Sequence, residues 1–354
     1  MTSESIREAL KAVKYPGYSR DIVSFGLVKD ISAENGAVAV VVELTGGNAD
    51  AAQQIKNEAE AAIREVEGVK HVYVDVKAPQ GGQTAGGPQA AATPQAGAGP
   101  NRVQGIKQVV AVASGKGGVG KSTVSANLAC ALTQLGVKVG LLDCDIYGPS
   151  IPLMMGVNER PSLSPNEKLL PLENHGVKLM SMGFLLEDDQ PVIWRGPMIM
   201  KTIQQFIGSV EWGELDLLLV DLPPGTGDAQ LSLCQTVPLD GGVIVTTPQE
   251  ASLGVVRKGI NMFRKVNVPI LGIVENMSYF TTPQGERIEI FGNGGGKDEA
   301  KRQKTAFLGD VPIFQEIREG GDEGFPIVAK SPESAPGSAF LNVAKTVQTE
   351  LSKL

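Results

Sequence analysis

The sequence predicts an α/β protein: a mostly parallel sheet covered by helices on both faces, preceded by a small α+β unit and a flexible linker. Three observations lead there. From residue 106 onward, apolar runs that read as buried strands alternate with helical spacing, at Val109–Ala113, Val137–Asp143, Leu215–Asp221, Gly242–Thr247 and Pro269–Asn276. Residues 78–100 hold only Ala, Gly, Pro and Gln apart from Thr84 and Thr93, so they offer little side chain to bury. The residues before that stretch follow a different rhythm, α-β-β-α-β.

In the first unit, Ser3–Val13 carries Ile6, Leu10 and Val13 at helical spacing. Ile22–Val28 and Val38–Leu44 read as strands around a turn at Asn35-Gly36. Asp50 caps an Ala- and Glu-rich helix to about Glu65, and His71–Val76 reads as a strand with Val72, Val74 and Val76 on one face. The expected organisation is a small domain at 1–77, a linker at 78–105 and the main domain at 106–354. The small domain has no Cys and a single His, so it reads as an accessory or docking unit.

Composition narrows the function classes. The 354 residues carry a formal charge of −7, which supplies no field to attract nucleic acid or an acidic membrane surface. The opening residues lack a basic stretch followed by an apolar core, and no apolar run approaches the ~18 residues of a membrane span, so a cytoplasmic protein without membrane or nucleic-acid partners is expected. The three cysteines, Cys130, Cys144 and Cys234, are too far apart for a disulfide framework or a single-chain zinc site.

In a parallel sheet, ligands sit at the carboxyl ends of the strands. Directly after the first strand of the main domain comes Gly115-Lys116-Gly117-Gly118-Val119-Gly120-Lys121-Ser122-Thr123, which satisfies G-x-x-x-x-G-K-[ST] and leads into a helical stretch. Glycines free the backbone N–H groups to wrap phosphate oxygens, and the helix N-terminus adds a positive end. Lys121 can reach the β- and γ-phosphates, and the Ser122 hydroxyl can ligate Mg²⁺. Carboxylates for the metal and for water come from two other strand ends, Leu141-Leu-Asp143-Cys-Asp145 and Leu217-Leu-Leu-Val-Asp221. Asp221 fits a Mg²⁺ partner acting through water, Asp143 a metal partner behind it, and Asp145 the residue that orients the attacking water. Each Asp also has a reading as a cap on the following turn. Gly225-Thr226-Gly227 reads as a loop able to sense a γ-phosphate. A guanine-reading Asn-Lys-x-Asp is missing where the last strand ends in Asn276-Met-Ser-Tyr279. Adenine is therefore expected, with Asn276, Pro248 and Gln249 as base contacts, and Asn276 as a plain turn former the rival reading.

Lys116, within Lys-Gly-Gly-Val-Gly-Lys121, resembles the extra lysine of deviant Walker A ATPases, the class of MinD, ParA and the Mrp/ApbC proteins. The resemblance implies a homodimer in which Lys116 crosses to the partner's nucleotide, making Lys116, Lys121 and Asp145 the catalytic set. Asp143-Cys-Asp-Ile-Tyr-Gly-Pro-Ser150, Trp194-Arg-Gly-Pro197, Asp221-Leu-Pro-Pro-Gly-Thr-Gly-Asp228, Thr246-Thr-Pro-Gln249 and Glu275-Asn-Met-Ser278 are similar to the Mrp/ApbC/Nbp branch. So are Phe291-Gly-Asn-Gly-Gly-Gly296 and Leu308-Gly-Asp-Val-Pro312. The small domain resembles the iron–sulfur assembly domain of many bacterial Mrp proteins. What the resemblance implies is an ATP- and Mg²⁺-dependent hydrolase that binds a labile iron–sulfur cluster and passes it to apoproteins or assembly partners. One departure stands out: where family members carry C-x-x-C after the Asn-Met-Ser strand, this chain has Ser278-Tyr-Phe-Thr-Thr-Pro-Gln-Gly-Glu286, so cluster ligands are not identifiable. Two other readings remain open. One is a MinD/ParA-like positioning ATPase, for which the stripe Phe340, Val343, Val347, Leu351 and Leu354 would be a membrane contact, although its weak positive charge favours core packing. The other is a nucleotide-dependent scaffold without its own cluster.

Overall fold

The computed structural model describes residues 3–15, 21–34, 37–43, 49–66, 68–69, 71–77, 103–146, 148–185 and 196–354. They belong to two compact units, Met1–Pro94 and Gln95–Leu354. The linker reading at 78–102, the Asn35-Gly36 turn, Tyr147 and Trp194-Arg195 lie outside the described residues.

The small unit runs α1 (Ser3–Leu10), β1 (Val28–Glu34), β2 (Ala37–Glu43), α2 (Ala49–Arg64) and β3 (His71–Lys77). β2 is central, antiparallel to β1 and parallel to β3. Helical spacing puts Ile6 and Leu10 of α1, and Ile55, Ala59 and Ile63 of α2, against Val38, Val40, Val42 and Val74 of one sheet face. Two expectations need correction. Ile22–Val28 is not a strand: the Asp21 carboxylate accepts from both the N–H and the hydroxyl of Ser24, at 2.7 Å each, and closes a turn that ends at Gly26 with φ 70°. Ile22 and Leu27 are buried from that turn, which is why the stretch is apolar, and the strand starts at Val28. Asp50 lies inside α2, which begins at Ala49, rather than ahead of it.

The large unit begins with β4 (Ile106–Ser114), α3 (Lys121–Gln134), β5 (Val139–Asp143), α4 (Ile151–Met154), β6 (Leu172–Asn174) and β7 (Val177–Ser181). It continues through α5 (Gly196–Ser209), β8 (Leu215–Asp221), α6 (Asp228–Thr236), β9 (Gly241–Thr246), α7 (Glu250–Lys265), β10 (Ile270–Thr281) and β11 (Arg287–Ile288). It closes with α8 (Gly295–Gln303), β12 (Ala306–Ile313), α9 (Gln315–Glu323), α10 (Ile327–Lys330) and α11 (Ala335–Leu351).

The strand order is β11-β10-β9-β4-β8-β5-β7-β6, with β12 also paired to β10. Among the described strands of this sheet, only β6 and β11 run antiparallel to their neighbours. All five residues of β5 and all six of β9 are buried, as strands covered on both faces require. β4 is central, so the turn after it and the ends of its neighbours β8 and β9 converge at one edge of the sheet. α3 packs with α10 and α11, while α7 packs with α6 and α8. The C-terminal stripe is core: Phe340, Val343 and Val347 are fully buried on α11, and Leu354 alone of the set is exposed. Among the described residues no helix is long and apolar enough to cross a membrane.

Candidate nucleotide site

The loop Gly115–Gly120 joins β4 to α3 at the carboxyl edge of the sheet. Two of its positions demand glycine for different reasons. A Cβ at Gly115 would meet the Val255–Val256 backbone of α7 at 2.8 Å, and Gly120 has φ 78° with the Asn276 amide where its Cβ would be. Ser114 Oγ donates to the Lys116 carbonyl at 3.0 Å, closing the start of the loop. Gly117 and Gly118 are exposed, Val119 is buried, and the Lys116 side chain makes no hydrogen bond or ion pair with any described residue.

Lys121 and Asp221 form the centre of the site. Lys121 Nζ donates to Asp221 Oδ2 at 2.5 Å, with side-chain exposures of 5% and 0%. Ser122 Oγ donates to the same oxygen at 2.7 Å, and Ser125 Oγ to Oδ1 at 2.5 Å. Lys121, Ser122 and Ser125 fall on one side of α3 by their spacing along the helix, so the loop helix and the end of β8 are joined at a single carboxylate. Ser125, fully buried, escapes the motif because the motif stops at residue 123; helical spacing from Lys121 is the signal that finds it.

Asp143 and Asp221 are direct register partners at the ends of β5 and β8, and both are fully buried. Burial first, and the neighbouring Asp221 charge second, push the Asp143 carboxyl up to about 7, against the opposing influence of the Asp145 N–H, Lys121 and Ser181. Its oxygens accept from Asp145 N at 3.0 Å, Ser181 Oγ at 3.0 Å and Ile151 N at 3.4 Å. Asp143 thus faces the backbone of its own loop, behind Asp221. Asp145 is half-buried and accepts from Gly148 N at 3.3 Å. Gly225, at φ 106°, donates its N–H to the Ser114 carbonyl at 3.2 Å, so the Gly225-Thr226-Gly227 loop abuts the start of the phosphate loop.

Asn276 is 6% exposed and donates to the Val119 carbonyl at 2.8 Å, clamping the phosphate loop from β10. Past it β10 bulges at Met277, φ 54°, and runs on to Thr281, beyond the strand end expected from the sequence. Asn276 and Thr123 also line a cavity of about 460 Å³ whose walls include Met277, Pro312, Ile313 and Phe314. Pro248 and Gln249 stand elsewhere, at the β9–α7 junction, where Pro248 packs on the Gly295 backbone; they do not line that cavity. Glu275, also buried, accepts from Ser278 Oγ at 2.5 Å and Gly296 N at 2.6 Å, and so holds the glycine-rich start of α8 onto β10.

Comparison with known proteins places this geometry. Residues 105–348 match the family described as the NUBPL iron-transfer P-loop NTPase. The chain belongs to that family. Residues 3–76 match a second family, described as an iron–sulfur cluster assembly protein. An iron–sulfur cluster carrier protein of Synechocystis is 44% identical over 99% of this chain and 98% of its own length. The iron–sulfur cluster transfer protein NUBPL of Dictyostelium discoideum is 50% identical over 70% of this chain and 78% of its own. Among solved structures, a nucleotide-binding protein from Archaeoglobus fulgidus in complex with ADP superposes with a TM-score of 0.57 at 44% identity, covering 63% of this chain and 88% of that one. The large unit is therefore a nucleotide-binding P-loop NTPase, with the mostly parallel sheet expected from the sequence.

Proposed function

We propose that this chain is a cytoplasmic ATPase that binds ATP with Mg²⁺ on the phosphate loop, hydrolyses it as a homodimer, and couples that cycle to delivery of iron–sulfur clusters to apoproteins. The single observation that carries the ATPase reading is the hydrogen-bonded set of Lys121, Ser122 and Asp221 at the foot of the phosphate loop, with Lys121 and Asp221 buried and Ser122 half-buried. The delivery reading rests on the family and on the names of relatives that align along nearly the whole chain.

The residues present suit Mg²⁺. Ser122 and Asp221 offer hard oxygen donors of the kind Mg²⁺ takes. Bound there, Mg²⁺ supplies charge neutralisation at the β- and γ-phosphates. The rest is done by the chain. Lys121 leaves Asp221 for the phosphates, and the loop N–H groups wrap the oxygens. Asp145, less buried than Asp143 and beyond the strand end, orients the attacking water. Asp143 stays behind Asp221 and orders the Asp145–Ile151 backbone. Thr123 and Asn276 open onto the apolar cavity that accepts the adenine ring, with Asn276 at the same time fixing the loop through Val119. Pro248 and Gln249 contribute from the β9 end rather than from that cavity. Lys116, half-buried and without a partner among the described residues, supplies the cation for the second protomer's nucleotide.

The positioning-ATPase alternative loses the membrane contact it would use, because that apolar stripe is core on α11. The test is phosphate release together with nucleotide affinity for Lys116→Ala. Affinity within about threefold of wild type and turnover lowered by about tenfold or more is the expected result. Unchanged turnover would remove the cross-dimer role, and no ATP-dependent phosphate release by the wild type would remove the ATPase reading.

A further inference from the structure

Iron–sulfur clusters are held by thiolates, most often four, so a protein that carries one needs cysteines that are accessible and able to ionise. This chain has three cysteines, and none meets that requirement. Cys130 lies on α3 and Cys234 on α6, both in the hydrophobic core, and burial pushes each thiol up to about 12. Cys144 follows β5 and is 1% exposed. Its own N–H is engaged by the Asp221 carbonyl at 2.9 Å, so turning it outward would dismantle the strand ends that frame the nucleotide site.

The exposed hairpin from β10 to β11 has a shape set by its own contacts. Arg287 stacks over the Tyr279 ring at 3.6 Å, and the turn closes through Thr282 N to the Glu286 carbonyl at 2.8 Å and Glu286 N to Thr282 Oγ1 at 3.1 Å. Of the two histidines, His71 and His175, the second is already committed, with Nε2 2.8 Å from the Gly324 carbonyl.

Resting on the cluster-delivery reading above, we infer that this chain acts on clusters without thiolate ligands of its own: the cluster stays on the cysteines of a donor protein and passes directly to those of the acceptor, while this chain brings the two together under nucleotide control. The transfer is ligand exchange. Each iron–thiolate bond to the donor breaks as one to the acceptor forms, the acceptor's thiol proton passes to the departing donor thiolate, and the cluster keeps its electrons.

The full chain, purified without oxygen, is incubated with ferrous iron, sulfide and dithiothreitol, desalted, and analysed for iron and acid-labile sulfide. A parallel sample is treated with iodoacetamide in the folded state and weighed intact. We expect substoichiometric iron and sulfide and no thiol alkylated until denaturant is added, when all three react. ATP-dependent transfer from a cluster-loaded scaffold protein to a four-cysteine apoprotein is then compared for wild type and for Cys130→Ala/Cys144→Ala/Cys234→Ala. Rates within about twofold of each other are expected. A stoichiometric cluster on the wild-type chain, or rapid alkylation of a native thiol together with loss of transfer in the single Cys→Ala variants, would overturn the inference while leaving the delivery reading intact. Transfer indifferent to wild-type chain and ATP would instead remove the delivery reading, whatever the thiols show. Because reconstitution and alkylation use the wild type, poor folding of the triple variant leaves the inference exposed to refutation.

Discussion

Breaking the Lys121–Asp221 pair should be among the most costly single changes in the large unit, and its cost should vanish in large part when both charges go together. At 2.5 Å, with both side chains all but removed from water, each charge is compensated mainly by the other. Lys121→Met leaves the buried Asp221 carboxyl with only the hydroxyls of Ser122 and Ser125 as donors, and Asp221→Asn leaves the buried Lys121 side chain facing an amide. Removing one partner of a buried pair costs about 3–5 kcal/mol. The two remaining hydroxyl donors place Lys121→Met near the lower end, at about 3 kcal/mol. The double variant keeps an amide able to bond to both serines and leaves no unpaired charge at either of the two positions, so a coupling energy of at least about 2 kcal/mol is expected. The assay is urea denaturation of nucleotide-free protein at low and high salt, since a buried pair is little screened. A cost below about 1 kcal/mol for either single variant, or additivity in the double, would refute the compensated-pair reasoning.

Three further outcomes follow from the same geometry. Gly120→Ala forces a side chain into the left-handed region at φ 78° and onto the Asn276 amide, so it should cost at least about 1–2 kcal/mol and abolish binding of a fluorescent ATP analogue. Ser125→Ala removes a hydrogen bond to a buried carboxylate, worth about 1.5–3 kcal/mol by thermal denaturation, and should raise the Mg²⁺ concentration needed for half-maximal turnover. Asp143, held near 7 against an ordinary carboxyl value of 3.8, gives folding an extra proton between those limits. The folded state binds more protons there than the unfolded one, so this group's contribution to stability falls as pH rises from about 4 to about 7; Asp143→Asn should flatten that slope in denaturation curves at pH 5 and 7.5.

Much of this was legible in the sequence where local pattern and global fold agree. The buried strands β4, β5, β8 and β9 announce themselves as unbroken apolar runs, and the phosphate loop follows from glycine spacing between a strand and a helix. β12 was not visible, because Gly309, Asp310 and Pro312 interrupt its apolar run, and its pairing with β10 depends on a long-range register that no local window contains. The false strand at Ile22–Val28 came from apolar residues that are truly buried but delivered by a turn, whose Asp21–Ser24 closure outweighs β propensity. At the site, the motif names Lys121 and Ser122 but not the residues that support them. Ser125 lies one helical turn beyond the motif, and the Asn276 contact to Val119 spans 157 residues. Pro248 and Gln249 lie at the β9–α7 junction, and position at a strand end fixes an edge of the sheet but not which side of a loop a residue reaches.

If ATP draws Lys121 away from Asp221, Mg²⁺ must take the lysine's place there. The most direct test is the affinity of wild type and Asp221→Asn for ATP, measured by isothermal titration with Mg²⁺ and with EDTA. Mg²⁺ should tighten wild-type binding by about tenfold or more, and Asp221→Asn should lose most of that gain. Equal wild-type affinity in Mg²⁺ and EDTA would contradict it.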